Sequence, residues 1–316
     1  MKNLRFVFIL SIMYVSCQKV ELSIPDTGRK LVINGLISTD SLLNVNISES
    51  LYIFDSLLVD ETLLKNARIL VYENSQFVDS LQFRDNVYVN LGADCQIQSN
   101  YQSYKLFPVA GHEYEIVAEL SGWTEAKAKT HIPEVVKIDK IDTSVVKLPG
   151  TFDFYESNIR LFCNIEFTDP GDKKNYYLLY VYKVPNRWNN IEFCCQDNIV
   201  EEELNHGSMK FGVAFSDKST NGQKYNLRII LNGRDIGMPF YDDSRQEIVP
   251  THKKIIYFRL YSITEEYFKY IQTLNLFYKN YKNPLADPTQ VYSNIEGGYG
   301  IFAGAAVSSD SLVFTY

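Results

Sequence analysis

Short runs of alternating apolar and polar residues repeat along most of this chain. Residues 31–37 (Leu-Val-Ile-Asn-Gly-Leu-Ile) are apolar and β-rich, and residues 43–48 (Leu-Asn-Val-Asn-Ile-Ser) alternate with a period of two. The pattern returns at 67–72, 77–83, 87–91, 112–120 and 124–132. Asn74-Ser75 fits a hairpin turn, Ser121-Gly122 fits another, and Pro133 ends the last run. A period of two puts alternate side chains on opposite faces of a strand, so each run predicts a strand with one buried face. Strands at this spacing predict an Ig-like or transthyretin-like β-sandwich over residues 31–133.

Residues 134–316 predict a larger β-rich domain. Its strands fall at 138–146, 158–167, 175–182, 211–215, 224–231 and 254–261, with turns at 169–172 and at Asn221-Gly222. The period then changes. Tyr267, Ile271, Leu274 and Tyr278 lie at spacings of four, three and four, which predicts an amphipathic helix over about 264–280. Ser262 or Thr264 is placed to cap it, and Glu265 and Glu266 suit the positive first turn. The apolar stripe is expected to pack on the sheet, before a last strand at 311–315. The fold class is mainly β: a sandwich, then a larger β-domain with one C-terminal helix.

The N-terminus follows other rules. Lys2 and Arg5 precede an apolar run at 6–15, and Ser16-Cys17 closes it. A run of about ten residues is too short to cross a hydrocarbon core of about 30 Å as a helix. It reads as a signal segment over residues 1–16, removed on maturation. A small residue followed by Cys17 resembles the lipobox of bacterial lipoproteins. That likeness implies cleavage before Cys17, a diacyl thioether on its sulfur and an acylated new N-terminus. Several acyl chains hold a protein firmly where one gives only marginal attachment. Residues 17–30, polar and broken by Pro25 and Gly28, form a tether.

Composition narrows the partners. The formal charge of −7 becomes −9 once Lys2 and Arg5 leave, and no run of Lys or Arg remains. That balance argues against nucleic acid. A hydrophobic fraction of 46% is enough for a packed core. Aromatic residues make up 14%, with 23 tyrosines, which suits both strands and exposed contact faces, Trp188 among them. Beyond Cys17, export permits disulfides among Cys95, Cys163, Cys194 and Cys195, and four cysteines allow three pairings. No metal or cofactor is expected, because no Cys-x-x-Cys or neighbouring His supplies a ligand set.

The terminal segment is the most distinctive local pattern. Tyr292-Ser-Asn-Ile-Glu-Gly-Gly-Tyr-Gly-Ile-Phe302 stands with Cys17, Leu31-Val-Ile-Asn-Gly-Leu36 and the helix at 262–274. Together these residues resemble the Bacteroidota outer-membrane lipoprotein family catalogued as domain of unknown function 4249. The likeness covers essentially the whole mature chain. Ala303, where a glycine is expected, and the Cys194-Cys195 pair depart from it. It implies a lipid-anchored outer-membrane protein, exposed at the cell surface, without an established reaction. It also implies company with a TonB-dependent β-barrel transporter and an unnamed small ligand. Tyr292, Asn294, Gly297, Gly298, Tyr299 and Gly300 are the candidate partner-binding or structural residues of this segment. A phosphate-cradling loop is the functional rival, and the lack of a following Lys-Ser/Thr and of a strand-to-helix context disfavours it.

Asp-Ser-Leu recurs at Asp40, Asp55, Asp79 and Asp310. It resembles the O-glycosylation signal of Bacteroidota proteins, with Ser41, Ser56, Ser80 and Ser311 as acceptors; a turn entering a strand accounts for it equally. His112, His131, His206 and His252 are well separated, and no hydrolase motif occurs, so no catalytic residue is assigned. Glu201-Glu-Glu203 reads as a solvated loop. Three functions stand: a non-enzymatic transporter accessory, a free-standing surface binder or adhesin, and a hydrolase whose carboxylates meet only in the fold.

Overall fold

The computed structural model describes residues 28–52, 62–90, 96–148, 159–183, 191, 193–195, 212–219, 221–233, 236, 254–280, 286–287 and 289–314. The chain begins with β1 (Leu31–Ser38), β2 (Asn44–Glu49), β3 (Arg68–Glu73), β4 (Gln76–Asn90), β5 (Gln96–Gln102), β6 (Glu113–Glu119) and β7 (Ala126–His131). β8 (Ile138–Lys147), β9 (Ile159–Thr168), β10 (Tyr176–Lys183), β11 (Phe193–Cys195), β12 (Val213–Ser216), β13 (Lys224–Asn232) and β14 (Lys254–Ile263) follow. Helix α1 (Glu265–Asn280) and β15 (Tyr299–Phe314) complete it. Among the described residues the fold is therefore mainly β, with one helix near the C-terminus. Two expected strands at 77–83 and 87–91 are one strand, β4, whose register shifts between Phe83 and Val87.

The strands form an eleven-stranded sheet, in the order β12-β10-β14-β15-β1-β2-β5-β4-β3-β6-β7, and a four-stranded sheet, β11-β13-β9-β8. Three cores organise them. In the first, Ile33, Val45, Ile47 and Phe302 meet Ile69, Val71, Ile116 and Ala128. In the second, β9 and β13 press Leu161, Ile165, Leu227 and Ile229 against Leu179, Val181, Phe258 and Leu260. In the third, Tyr267, Phe268 and Ile271 of α1 cover Tyr176, Leu178, Ile301 and Ala303. β10 thus buries both faces, which explains its unbroken apolar run. Thr264 caps α1, its Oγ1 accepting the Tyr267 N–H at 3.3 Å. The helix stripe ends earlier than its spacing implies: Tyr278 is exposed.

β15 belongs to all three cores. Residues 299–305 run parallel to β1, and residues 305–314 run antiparallel to β14. The last strand of the chain thereby bridges the two blocks that the strand spacing divides at residue 133. Its start lies earlier than the expected 311–315 because two glycines let it pass through a crowded crossing. A Cβ on Gly300, whose φ is +110°, meets the Ile33 carbonyl well inside 3.0 Å. One on Gly304 meets the His131 carbonyl in the same way and sits 2.9 Å from Ile132 Cδ1.

Two asparagine side chains complete the strand ladders. Asn100, on β5, accepts the Ile47 N–H at 2.7 Å and donates to the Ile47 carbonyl at 2.7 Å. Asn294 does the same for Phe302 of β15, at 2.9 and 2.7 Å. A carboxamide carries the same donor and acceptor as a peptide group, so it can stand in for a missing strand partner. β5 (Gln-Ile-Gln-Ser-Asn-Tyr-Gln) escapes sequence reasoning for this reason: its Ser99 and Asn100 are polar yet buried, bonded to the backbone of β2.

Candidate functional site

The richest polar and aromatic cluster sits where the two blocks join. β14 and β10 turn Ile256, Phe258, Leu179 and Val181 into the second core. Alternation sends Tyr257, Arg259, Tyr261, Tyr180 and Tyr182 to the opposite face. Tyr182 and Tyr257 are directly paired across the strands, with rings stacked 5.2 Å apart at 13°. The Arg259 guanidinium lies 5.1 Å from the Tyr182 ring centroid, within cation–π range. Its Nη1 donates to Asp40 Oδ2 at 3.0 Å and to the Tyr261 hydroxyl at 3.2 Å.

Asp40 comes from the turn after β1, so this ion pair ties the first sandwich to β14 across β15. Ser38 orients it, donating its hydroxyl to Asp40 Oδ1 at 2.6 Å. Both partners of the ion pair keep about 30% of their side-chain surface, 30% for Arg259 and 29% for Asp40. Burial alone would lower the Arg259 pKa, but Tyr261 and Asp40 outweigh it and hold the guanidinium charged. Burial, followed by the nearby Asp40 charge, pushes the Tyr261 hydroxyl up to about 12, so it stays protonated. Arg259 Nε is buried and has no hydrogen-bond partner. The arrangement is a half-buried tyrosine surface around a fixed cation. It offers aromatic faces and hydrogen-bond donors, a contact surface rather than a nucleophile with its base.

The terminal segment is built into the fold. Asn294 pairs with Phe302 as described, and a Cβ on Gly297 or Gly298 would meet the carbonyls of Glu125 or Leu31. Tyr292 is half-buried against α1, its N–H donating to Thr273 Oγ1 at 2.8 Å. Tyr299 keeps 42% exposure, with Lys30 Nζ 5.0 Å from its ring centroid. Every one of these residues except Tyr299 is thus engaged in packing β15, β1, β7 or α1.

Among the serines, Ser311 is exposed on β15, while Ser41 and Ser80 are half-buried. Asp79 and Asp310 each fold back to accept the N–H of the following serine, at 2.9 and 2.7 Å. Asp79 also accepts the Ser103 hydroxyl. Ser56, Cys17, Cys95, Trp188, His206, His252 and residues 201–203 lie outside the described residues, as does the side chain of Cys194.

Of the disulfide candidates, Cys163 is buried on β9 and Cys195 lies on β11. Cys195 is paired with Ile229, and Ile229 with Cys163, so the two sit two strands apart with Ile229 between them. That places them about 10 Å apart, beyond the reach of a disulfide. Burial pushes the Cys163 thiol up to about 12.

Titratable groups elsewhere are held by structure. His112 Nδ1 lies 2.9 Å from Glu73 Oε1, which also accepts the Tyr114 hydroxyl. Burial would raise the Glu73 pKa, yet the Tyr114 and His112 hydrogen bonds hold it below its ordinary value. Buried Asp169 accepts the Tyr177 hydroxyl and, at 2.9 Å, the Gly222 N–H. Asp217 accepts the Asn175 N–H at 2.7 Å, and burial with the Asp169 charge raises its pKa. These carboxylates fasten turns. Among the described residues no three His, Cys, Asp or Glu side chains gather as a metal site.

The tyrosine cluster went unseen in the sequence because it needs the β10–β14 register. The alternation of 175–182 and 254–261 was its only signal. The sequence model of a family described as "Domain of unknown function (DUF4249)" matches residues 18–311. No curated protein matches the chain.

Proposed function

Because the chain belongs to the DUF4249 family over residues 18–311, we propose that it is an outer-membrane lipoprotein, a non-enzymatic accessory of a TonB-dependent β-barrel transporter in nutrient capture or uptake. The observation that carries the reading is the lipobox-like Ser16-Cys17, with the family match beginning at the very next residue. Among the described residues no helix is long and apolar enough to cross a membrane. A lipid on Cys17 then holds the body at the membrane, and residues 18–30 separate it from β1. Arg29, paired with Glu49 at 2.7 Å, and Lys30, donating its N–H to Ser50 at 3.0 Å, dock the end of the tether on β2 and the residue after it. The family's Bacteroidota company and surface exposure belong to this proposal.

Intact mass of the native protein tests the anchor. The expected result is loss of residues 1–16 and added acyl mass on Cys17, with Cys17→Ala appearing in the soluble fraction. An unacylated Cys17, or a Cys17→Ala chain still firmly membrane-bound, refutes it.

A second reading, a free-standing surface binder, is favoured by the half-buried tyrosines around Arg259, because Tyr and Arg dominate protein contact surfaces. Ligand binding by the isolated anchor-free chain, lost on Arg259→Ala, is the outcome that selects it.

A further inference from the structure

Sheet edges recruit other strands unless something blunts them. Of the four outermost strands among the described residues, two are blunted. β12 has four residues. β7 carries Lys127 and Lys129, and its edge is already taken by Glu296, which exchanges two backbone hydrogen bonds with Lys127 at 3.0 and 2.8 Å. β8 is different. It runs for ten residues, pairs with β9 on one side, and among the described residues has no strand on the other. Its first half is guarded by the exposed pair Lys140–Asp142, 2.7 Å apart. Residues 143–146, Thr-Ser-Val-Val, carry no charge and are all exposed, with Val145 at 57% and Val146 at 39%. Register puts Val145 beside Leu161 on the core side, yet most of its surface is open to solvent.

We propose that β8 pairs antiparallel with β8 of a second copy of this chain, centred on Thr143. The argument is self-complementarity. In that register Ile141 faces Val145 twice and Thr143 faces its own copy, all within the regular stretch that follows the bulge between Ile138 and Lys140. The neighbouring two-fold register, centred on Asp142, sets that aspartate against its own copy, a like charge, which is unfavourable. Directly opposed residues of antiparallel strands share a face, so Ile141 and Val145 of both copies gather on the core side. The two four-stranded sheets then become one continuous sheet across a two-fold axis, the symmetric closure most dimers use. Pairing also satisfies outward N–H and C=O groups of the regular stretch after the bulge.

The test uses the full chain in its own membrane. Directly opposed Cα atoms lie about 4.5–5.5 Å apart, inside disulfide range. Thr143→Cys, made in a Cys163→Ala background because Cys163 lies directly opposite Thr143 on β9, is expected under a mild oxidant to give a covalent dimer on a non-reducing gel, beyond anything the Cys163→Ala chain gives. Val145→Cys, facing Ile141 rather than itself, is expected to give none. Val145→Asp, which puts a charge in the apolar patch, is expected to shift the detergent-solubilised protein from dimer to monomer in sedimentation, with its circular dichroism unchanged. A monomeric wild type with no Thr143→Cys cross-link overturns the proposal, as does equal cross-linking at 143 and 145. So does pairing of this edge with a strand from another protein.

Discussion

Replacing Asn100 with leucine probes the ladder most directly. Leucine has nearly the same volume, so the change removes hydrogen bonds without opening a cavity. Asn100 is 2% exposed and Ile47 fully buried, so the Ile47 N–H loses its partner with no route to water, while the Ile47 carbonyl keeps the Leu64 N–H at 3.1 Å. A buried polar group left unpaired costs about 1–3 kcal/mol. The one group left unpaired, the Ile47 N–H, sets the loss at about 1–3 kcal/mol, against a typical stability of about 5–15 kcal/mol. Urea unfolding of the mature chain measures it: the midpoint falls while the slope, which follows the surface exposed, stays constant. Asn294→Leu is expected to cost less, because Asn294 is only half-buried. A loss below about 1 kcal/mol for Asn100→Leu refutes the idea that this carboxamide serves as a strand partner.

Gly304→Ala is expected to destabilise by about 1–3 kcal/mol, since its Cβ overpacks a backbone carbonyl that cannot turn aside. Gly122→Ala, at φ +83° with nothing within 4 Å, costs only the conformational strain of about 1–2 kcal/mol and serves as the control. A neutral Gly304→Ala contradicts the close β7–β15 crossing. Glu73 has a lowered folded pKa, so its contribution is present above its ordinary value of 4.5 and is lost as pH falls through the lowered value. The stability gap between wild type and Glu73→Gln is therefore expected to be open at pH 7 and to close below pH 4.5, as read by denaturation at each pH. A gap that widens with acid reverses the sign. Cys163, with its thiol at about 12, is expected to resist iodoacetamide at pH 8 until the chain unfolds, as mass spectrometry of the Cys163 peptide reports. Modification at the unfolded rate means that the β9 core opens readily.

Most strands were legible because one face of each is buried and the other is not. β1 and β9 alternate buried and half-buried residues without a break, and both begin within a residue of where the pattern puts them. α1 announced itself through Thr264, Glu265 and the Tyr267–Ile271 spacing. What could not be read was pairing at long range. β5 hides because its buried residues are polar. β15 hides because its glycines look like a loop until β1 and β7 are seen pressed against them. The Arg259 cluster joins Asp40 to a residue 219 positions away, a contact set by sheet order alone. The terminal segment drew attention as a pattern, and its residues are spent mostly on packing β15 against β1, β7 and α1.

The central claim is that this chain works at the membrane with a transporter. The measurement that tests it most directly is isolation of the native lipoprotein from solubilised outer membrane under mild detergent, with bound proteins identified by mass spectrometry. The account predicts a TonB-dependent β-barrel recovered in stoichiometric amount. A lipidated chain recovered repeatedly without a barrel contradicts it.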